Sequence, residues 1–262
     1  YGISDERAWE VGLACGGSLE VLVEPAVSEP VLAAAEGPGG VVVATFLDGV
    51  EPGRSVLIDD SSPLEVTDLV RAAREALRSG RSRTVRLPVG GTDAGVFLEV
   101  FPRPPQLVIF GGVHVAAALV TLAHALDYRT VVADGRASFL TRERFPDADQ
   151  LILGWPDAAF AKAGIDSATA VVVLTHDPKF DDPALMIALR SPAMYVGAIG
   201  SKKTQAARRE RLRAAGLTDD QVGRLFGPIG LDLGGRTPAE TALAIMAEIV
   251  AVRHGAAVAR TA

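Results

Sequence analysis

The 262-residue sequence predicts an α/β fold, in which a C-terminal doubly wound parallel sheet follows a smaller N-terminal α+β domain. Three observations lead to this prediction. Apolar strand-like runs alternate with helical patterns in the second part of the chain, and a glycine turn follows the first of these runs. A proline-rich break at 101–105, Phe-Pro-Arg-Pro-Pro, precedes them, and such a segment cannot lie in a helix interior or a central strand. We therefore expect one domain at residues 1–105 and a second at 106–262.

The first domain is predicted to contain short strands and one helix. The strands are expected where β-branched or alternating apolar residues recur, at 19–23, 41–46, 55–58, 84–87 and 96–100. The helix is expected at 65–79, because apolar residues return there at helical spacing and Gly80 supplies a C-terminal cap.

The second domain alternates between strands and helices. Residues 107–110, Leu-Val-Ile-Phe, form a continuous apolar run, as expected of a strand that is covered on both faces. Further strands are predicted at 129–133, 150–153, 170–174 and 194–199, and helices at 114–126, 157–163, 183–190 and 204–215. A last helix begins with the capping pattern Thr237, Pro238 and Glu240, and is expected to run to about residue 254. This order is typical of a Rossmann-like sheet.

Composition limits the class of partner and the compartment. The net charge of −6 provides no general attraction to nucleic acid, and no run of about 18 apolar residues predicts a membrane span. The single cysteine, Cys15, cannot form an internal disulfide, which fits a reducing cytoplasm. We therefore expect a cytoplasmic protein, without a signal peptide, that has neither nucleic acid nor a membrane as partner.

Residues 111–116, Gly-Gly-Val-His-Val-Ala, form the turn between the first strand and the first helix of the second domain. Dinucleotide sites prefer glycine at the first and third of these positions and a small residue at the sixth. Gly111 and Ala116 fit this pattern, whereas Val113 obstructs the usual approach of a pyrophosphate to the backbone. The helix start still offers N–H groups and a positive dipole end. The turn either binds a phosphate-bearing ligand, with Gly112 and His114, or is a tight turn without a ligand.

Asp134 ends the second predicted strand of this domain, 23 positions after Gly111. A ribose-binding carboxylate occupies about this position in dinucleotide-binding folds, and Arg136 is close enough in sequence to face a phosphate. The sequence Asp134-Gly135-Arg136 is equally suited to a simple turn, so both interpretations are open.

Thr175, His176 and Asp177 follow the fourth strand. If the strand order is 3-2-1-4-5, these residues lie beside the Gly111 turn at the carboxyl edge of the sheet. A histidine and a carboxylate in such a place can donate, accept or move a proton. The alternative is that Asp177-Pro178 only starts a turn, which His176 caps.

Two further segments of the second domain are candidates for ligand contact. Gly200, Ser201 and Lys202 follow the fifth strand, and they indicate either an anion site or a solvated helix start. The loop at 227–236 contains four glycines, including Gly230, together with Asp232. Its glycines indicate close approach of the backbone either to a ligand or to the first domain.

Cys15 is followed by Gly16 and Gly17. Two consecutive glycines can form a concave nest of N–H groups, beside which a thiolate can bind a metal or react. The alternative is a small buried apolar residue, which is how most free cysteines behave.

Three segments together resemble the XdhC/CoxI family, accessory proteins of xanthine dehydrogenase and related molybdenum hydroxylases. They are residues 12–25, Gly-Leu-Ala-Cys-Gly-Gly-Ser-Leu-Glu-Val-Leu-Val-Glu-Pro; the turn at Gly111; and 227–232, Gly-Pro-Ile-Gly-Leu-Asp, which leads into the helix cap at Thr237. The family turn commonly reads Gly-Ala-Gly-His, and here it reads Gly-Gly-Val-His. This departure disfavours NAD(P).

The resemblance implies a chaperone rather than an enzyme. Such a protein binds the molybdenum cofactor (molybdopterin), protects it while sulfur is added, and delivers it to an apo molybdenum hydroxylase. It further implies a homodimer, contact with a cysteine desulfurase, and a metal-binding role for Cys15, whose thiolate is a soft ligand. The first domain would then close over the crevice and bring Cys15 near His176 and Asp177. The residues expected to bind the cofactor are Cys15, Gly16, Gly17, Gly111, Gly112, His114, Asp134, Arg136, Thr175, His176, Asp177, Gly200, Ser201, Lys202, Gly230 and Asp232.

Two other functions remain open at this point. An NAD(P)-dependent oxidoreductase would use the same Rossmann-like domain, with Asp134 on the ribose. An interaction protein would keep the crevice without a ligand.

Overall fold

The computed structural model describes residues 2–3, 17–18, 23, 26–37, 39–49, 51–59, 62, 68–89 and 91–257. The chain divides into two compact units, Tyr1–Arg103 and Pro104–Ala262. Cys15 and Gly16 lie outside the described residues, as does most of the strand predicted at 19–23.

The residues that the structure describes in the first unit form two antiparallel sheets. Strands β1 (Gly2–Ile3) and β2 (Gly17–Ser18) form a short pair. The larger sheet has the order β4-β3-β6-β5. Its strands are β3 (Val41–Phe46), β4 (Ser55–Ile58), β5 (Arg83–Val89) and β6 (Thr92–Phe101).

Among the described residues of this unit, two helices accompany this sheet, α1 (Glu29–Glu36) and α2 (Asp68–Ser79). The prediction of a single helix in this domain is therefore wrong. Helix α1 was missed because it is only two turns long and alanine-rich, and Ala34 is its only buried residue, so it shows no clear apolar periodicity. Helix α2 packs on the core of this unit through Ala73 and Ala76, which are fully buried.

The second unit is a six-stranded parallel sheet with the order β12-β11-β10-β7-β8-β9. Its strands are β7 (Gln106–Phe110), β8 (Arg129–Asp134), β9 (Gln150–Leu153), β10 (Thr169–Val173), β11 (Tyr195–Ala198) and β12 (Leu225–Phe226). Counted from β7, the order is 6-5-4-1-2-3, which confirms the predicted doubly wound, Rossmann-like sheet. The two-residue strand β12 was not predicted, because it is too short to show a pattern.

The helices of this unit are α3 (His114–His124), α4 (Pro156–Ala163), α5 (Pro178–Arg190), α6 (Lys202–Ala214), α7 (Asp219–Gly223) and α8 (Pro238–Arg253). Helix α5 begins five residues before the predicted start at residue 183. The proline at 183 lies inside the helix, whereas Pro178 occupies a position in its first turn. The predicted helix start was placed at Pro183 instead of Pro178, because a proline at either position can begin a helix.

Helices cover both faces of the parallel sheet. On one face, α3 and α8 pack on one set of alternate strand residues, which includes Leu107 and Ile109. On the other face, α4, α5, α6 and α7 pack on the set that includes Val108 and Phe110. All four strand residues are fully buried, as the continuous apolar run predicted. Within the described ranges, no helix combines the length and the apolar character that a membrane span requires.

Candidate functional site

Strands β7 and β10 are neighbours, and the helices that follow them, α3 and α5, lie on opposite faces of the sheet. The connections that leave these two strands therefore run to opposite faces of the sheet, and a crevice opens at the carboxyl ends of the strands, which is where open α/β sheets bind ligands. Gly111 occupies this point with a φ of +120°. A Cβ atom there would lie 3.0 Å from Thr175 Cγ2 and 3.1 Å from the carbonyl carbon of Leu174. Only glycine fits at this position, because the ends of β7 and β10 lie too close together for a side chain between them.

Gly112 makes room for the protein's own backbone. A Cβ atom on this residue would fall well inside 3.0 Å of the carbonyl oxygen of Phe139, on the short 3₁₀ turn Ala137–Phe139. The N–H of Gly112 donates a hydrogen bond of 2.8 Å to Asp134 Oδ2. The glycine turn is thereby clamped to the loop after β8.

Asp134 is fully buried and both of its oxygens accept hydrogen bonds. Oδ1 accepts from the backbone N–H and from Nε of Arg136, each at 2.9 Å, and Oδ2 accepts from Arg136 Nη2 and from the Gly112 N–H. Burial raises the pKa of this carboxyl, but the hydrogen bonds from Arg136 and Gly112 outweigh it and hold the pKa below its ordinary value. Asp134 had two interpretations, a ribose ligand or a residue of a turn. The donors that contact it, Gly112 and Arg136, belong to the turn.

The first residues of α3 keep donors available at the same edge. Val113 is the N-cap and its side chain makes no capping bond. Its N–H donates to Gly111 O at 2.9 Å. The backbone N–H groups of His114 and Val115 have no partner among the described residues, and the His114 side chain is exposed. This helix start can therefore bind an anion through backbone donors and the helix dipole.

A buried polar network lies beneath the ends of β10 and β11, and it was not found by sequence reasoning. Thr175 donates its hydroxyl to Asp181 Oδ1, and Asp181 Oδ2 accepts from Arg208 Nη2 at 2.6 Å. Arg208 also donates to Ile199 O at 3.0 Å and to Gln205 Oε1 at 2.8 Å. Gln205 in turn donates to the last carbonyl of β11 at 2.8 Å. The network fixes the ends of two strands relative to each other.

His176 and Asp177 directly follow Thr175 of this network, and both are exposed. His176 has a φ of +59°, in the left-handed region that non-glycine residues rarely adopt. Asp177 is the N-cap of α5, and its Oδ1 accepts from the Lys179 N–H at 3.0 Å. The capping role expected of this segment is thus filled by Asp177 and not by His176, which leaves the imidazole open to solvent beside the glycine turn.

Gly200, Ser201 and Lys202 form the start of α6. Gly200 has a φ of +139°, and the Ser201 hydroxyl caps the helix by accepting from the Thr204 N–H at 3.2 Å. Ser201 and Lys202 are exposed. This helix start belongs to the same carboxyl edge of the sheet, two strands away from the Gly111 turn.

In the loop at 227–236, Gly230 contacts α8. A Cβ atom on Gly230 would lie 3.1 Å from the backbone of α8, and the Gly230 N–H donates to the buried Glu248 at 2.9 Å. Glu248 also accepts the hydroxyl of Tyr195. Burial and the Glu248 carboxylate raise the pKa of Tyr195 well above its ordinary value. Packing on α8 therefore accounts for this glycine, and Asp232 is exposed on the loop beyond it.

The predicted site residues thus fall into three groups. The carboxyl edge of the parallel sheet collects Gly111, Gly112, His114, Asp134, Arg136, Thr175, His176, Asp177, Gly200, Ser201 and Lys202. Gly230 and Asp232 follow β12 on the loop that precedes α8, and Gly17 lies in β2 of the first unit. Cys15 and Gly16 are outside the described residues. Within the described ranges, no three His, Cys, Asp or Glu side chains are grouped as metal ligands.

Comparison with known proteins identifies the family. Residues 107–249, more than half of the chain, match the family described as the XdhC Rossmann domain. A stretch of 175 residues is 29% identical to a probable xanthine dehydrogenase subunit of Bacillus subtilis (strain 168), and it covers 67% of this chain and 51% of that protein. A stretch of 156 residues is 31% identical to the molybdenum cofactor insertion chaperone PaoD of Escherichia coli (strain K12), and it covers 59% of this chain and 42% of that protein.

The fold is also similar to the crystal structure of a xanthine dehydrogenase from Bacillus halodurans. The TM-score is 0.52 at 20% identity, over 90% of this chain and 98% of that chain; at this identity the likeness shows the fold alone. The chain spans about half the length of the curated relatives it matches. The match across the parallel sheet and its helices confirms the resemblance noted in the sequence: the chain belongs to the XdhC family.

Proposed function

We propose that this protein binds the molybdenum cofactor as cargo, protects it, and delivers it to a xanthine dehydrogenase-type molybdenum hydroxylase. Membership of the XdhC family supports this proposal, together with the names of two relatives, a molybdenum cofactor insertion chaperone and a probable subunit of xanthine dehydrogenase. In this proposal the protein is a cytoplasmic, dimeric accessory factor and not an enzyme, and a cysteine desulfurase supplies sulfur to the bound cargo.

The observation that carries the proposal is the start of α3 at the switch point of the sheet. The cargo is a pterin that ends in a phosphate, and the unpartnered N–H groups of His114 and Val115 suit that phosphate. His176 stands exposed on the neighbouring strand end, where its ring can hydrogen-bond to polar atoms of the pterin. The start of α6, with Ser201 and Lys202, offers a second anion-binding position along the same edge.

The metal end of the cargo needs a soft donor, and we assign that role to Cys15. A thiolate is a ligand of the required softness, and Cys15 is the single cysteine of the sequence. Gly16 and Gly17, which follow Cys15 in the sequence, are proposed as further contacts of the cargo.

An NAD(P)-dependent oxidoreductase is the second candidate, because the fold is Rossmann-like. The contacts of Asp134 oppose it, since its two oxygens are occupied by donors of its own loop and of the turn. Val113 opposes it as well, at the position where a pyrophosphate requires glycine. We expect calorimetry to detect no low-micromolar binding of NADH, and a dissociation constant in that range would favour the oxidoreductase.

The phosphate anchor is best tested at His114, the first residue of α3. A substitution such as Gly112→Asp is unsuitable, because its side chain would collide with the Phe139 carbonyl. His114→Asp instead adds an exposed negative charge, which stabilises a helix start but repels a phosphate by a few kcal/mol at short range. We expect at least ~10-fold weaker retention of cofactor, whereas the matched variant His114→Asn retains it.

Retention is measured by anaerobic titration with molybdenum cofactor and by transfer to an apo-hydroxylase, with thermal melting as the control for folding. Equal retention by wild type and His114→Asp would place the phosphate elsewhere. Failure of the wild-type protein to retain or transfer the cofactor would refute the proposed function itself.

A further inference from the structure

A depression of about 660 Å³ lies beside the carboxyl edge of the parallel sheet, between the start of α4 and Pro183 in the second turn of α5. Small-molecule sites commonly have volumes of this order and combine aromatic walls with a few polar groups. The residues that line it are Gly154, Trp155, Pro156, Asp157, Ala158 and Pro183. None of them belongs to the site described above.

Trp155 gives this depression an aromatic wall with rigid support. Its side chain is 47% exposed, although tryptophan is highly buried on average. Its ring lies 5.0 Å from the ring of Phe180, at an interplanar angle of 38°. Phe180 is buried and contacts Phe110 at the end of β7, at 6.3 Å between centroids. The exposed indole is therefore held on the core and can stack against a planar ring.

Contacts connect this wall to the glycine turn. A Cβ atom on Gly135 would lie 2.6 Å from the ring of Phe180, so the loop after β8 lies directly against the aromatic support. In the same loop, the Arg136 guanidinium lies 3.8 Å from the centroid of the Phe139 ring, and the Phe139 carbonyl lies against Gly112. A chain of contacts thus joins the depression to the proposed phosphate anchor.

Two charged groups define what the depression can recognise. Asp157 is exposed in the first turn of α4, and within the described part of the chain its carboxylate has no hydrogen-bond or ion-pair partner. A free carboxylate beside a stacking ring matches a heterocycle that presents adjacent N–H donors on one edge. Lys179 Nζ lies over the Trp155 ring, 5.2 Å from its centroid, and its flexible side chain can leave the ring face to a stacked heterocycle and bind a phosphate that the same ligand carries.

We propose that Trp155 and Asp157 bind a 2-amino-4-oxopyrimidine ring, the heterocycle shared by pterins and guanine. The ring stacks on the indole, and its ring N–H and amino N–H donate to the Asp157 carboxylate. This inference rests on the proposed function, because it assigns the heterocyclic end of the same cargo. It adds a specificity that the phosphate anchor lacks, since adenine and cytosine do not present this pair of donors.

The test uses a Trp9→Phe background, in which Trp155 is the only tryptophan of the chain. Neopterin, GMP, AMP and CMP are titrated against the 262-residue chain, with quenching of tryptophan fluorescence and calorimetry as readouts. We expect neopterin and GMP to bind and to quench Trp155, and AMP and CMP to bind at least ~10-fold more weakly.

Two variants assign the contacts. Trp155→Ala, followed by calorimetry, should weaken neopterin binding about 10-fold or more, because stacking on an aromatic side chain contributes an energy of that order. Asp157→Asn should remove the preference for neopterin over AMP. Asp147→Asn makes the same change of charge on an exposed residue before β9, at the opposite edge of the sheet, and should leave binding unchanged.

The outcomes separate this inference from the proposed function. Absence of neopterin and GMP binding to the wild type, or equal binding to Trp155→Ala, would overturn the inference. If the wild type retains molybdenum cofactor and Trp155→Ala retains it equally, the proposed function stands and the Trp155 site falls. If neopterin binds through Trp155 but the wild type neither retains nor transfers the cofactor, the site stands and the delivery function falls.

Discussion

The buried ion pair between Asp181 and Arg208 gives a quantitative prediction about stability. Their side chains are 1% and 2% exposed, and the two charged groups are 2.6 Å apart. Asp181→Ala leaves the Arg208 charge buried without a counter-ion and also removes the acceptor of the Thr175 hydroxyl. Loss of one partner of a buried pair costs about 3–5 kcal/mol, which is a large part of the 5–15 kcal/mol typical of a folded protein.

The adjacent residue provides a matched control. Asp182 pairs with Arg211 at 2.6 Å, but these side chains are 26% and 41% exposed. Asp182→Ala changes the same helix in the same way and should cost about 0–1 kcal/mol. A difference of about 3 kcal/mol between the variants corresponds to melting temperatures that differ by about 6–12 °C. Urea unfolding followed by circular dichroism measures both, and equal slopes show that the transitions are comparable.

A double variant tests whether the cost comes from the uncompensated charge. Adding Arg208→Met to Asp181→Ala removes the buried charge, so part of the lost stability should return. Recovery should be incomplete, because the carbonyl of Ile199 and the side chain of Gln205 lose a donor. Equal losses for Asp181→Ala and Asp182→Ala, both below about 1 kcal/mol, would refute the reasoning, since burial would then make no difference.

Three further predictions concern single residues. Gly111→Ala should lower the free energy of unfolding, measured with urea, by about 2–4 kcal/mol, because the new methyl group adds backbone strain and meets the end of β10. Gly216 also has a positive φ, +92°, but open space surrounds it, so Gly216→Ala should lower the free energy of unfolding by less. Equal losses for the two variants would exclude a contribution from the contact with β10. The N–H of Thr130, followed by His124, lowers the pKa of Asp149 from 3.8 to about 2 although burial opposes this. The ionised Asp149 therefore stabilises the fold above about pH 4, and this stabilisation disappears as the pH falls towards 2. After allowance for the exposure of the side chain, Asp149→Asn should lower the free energy of unfolding by about 1 kcal/mol at pH 6 and by almost nothing near pH 2. A loss that is the same at both pH values would contradict this prediction. Cys15→Ser should have the same melting temperature as the wild type, but it should release molybdenum cofactor and fail to transfer it. Equal retention and transfer by the two proteins would show that Cys15 has only a structural role.

Much of the architecture of the second unit could be predicted because its signals are local. The apolar run at 107–110 identified a strand covered on both faces, and the capping residues Thr237 and Glu240 identified the start of α8, where both capping hydrogen bonds form. The strand–helix alternation restricted the sheet to a parallel one, and the observed order at β7 and β10 agrees with the expected switch point. These features depend on residues near in sequence, so their patterns are visible without a structure.

The partners of individual polar residues depended on tertiary structure. Asp134 was compatible with a ribose or a turn, and only the approach of Gly112 from another loop showed which donors occupy it. Asp181 and Arg208 lie 27 positions apart on α5 and α6, and no local pattern relates them, yet they meet in the core. By itself the sequence determined the fold class, the order of elements and the position of the glycine turn, because periodicity and capping are local properties of the chain. Which carboxylate is buried, paired or open to a ligand was decided by the fold, because such contacts join residues that no local pattern relates.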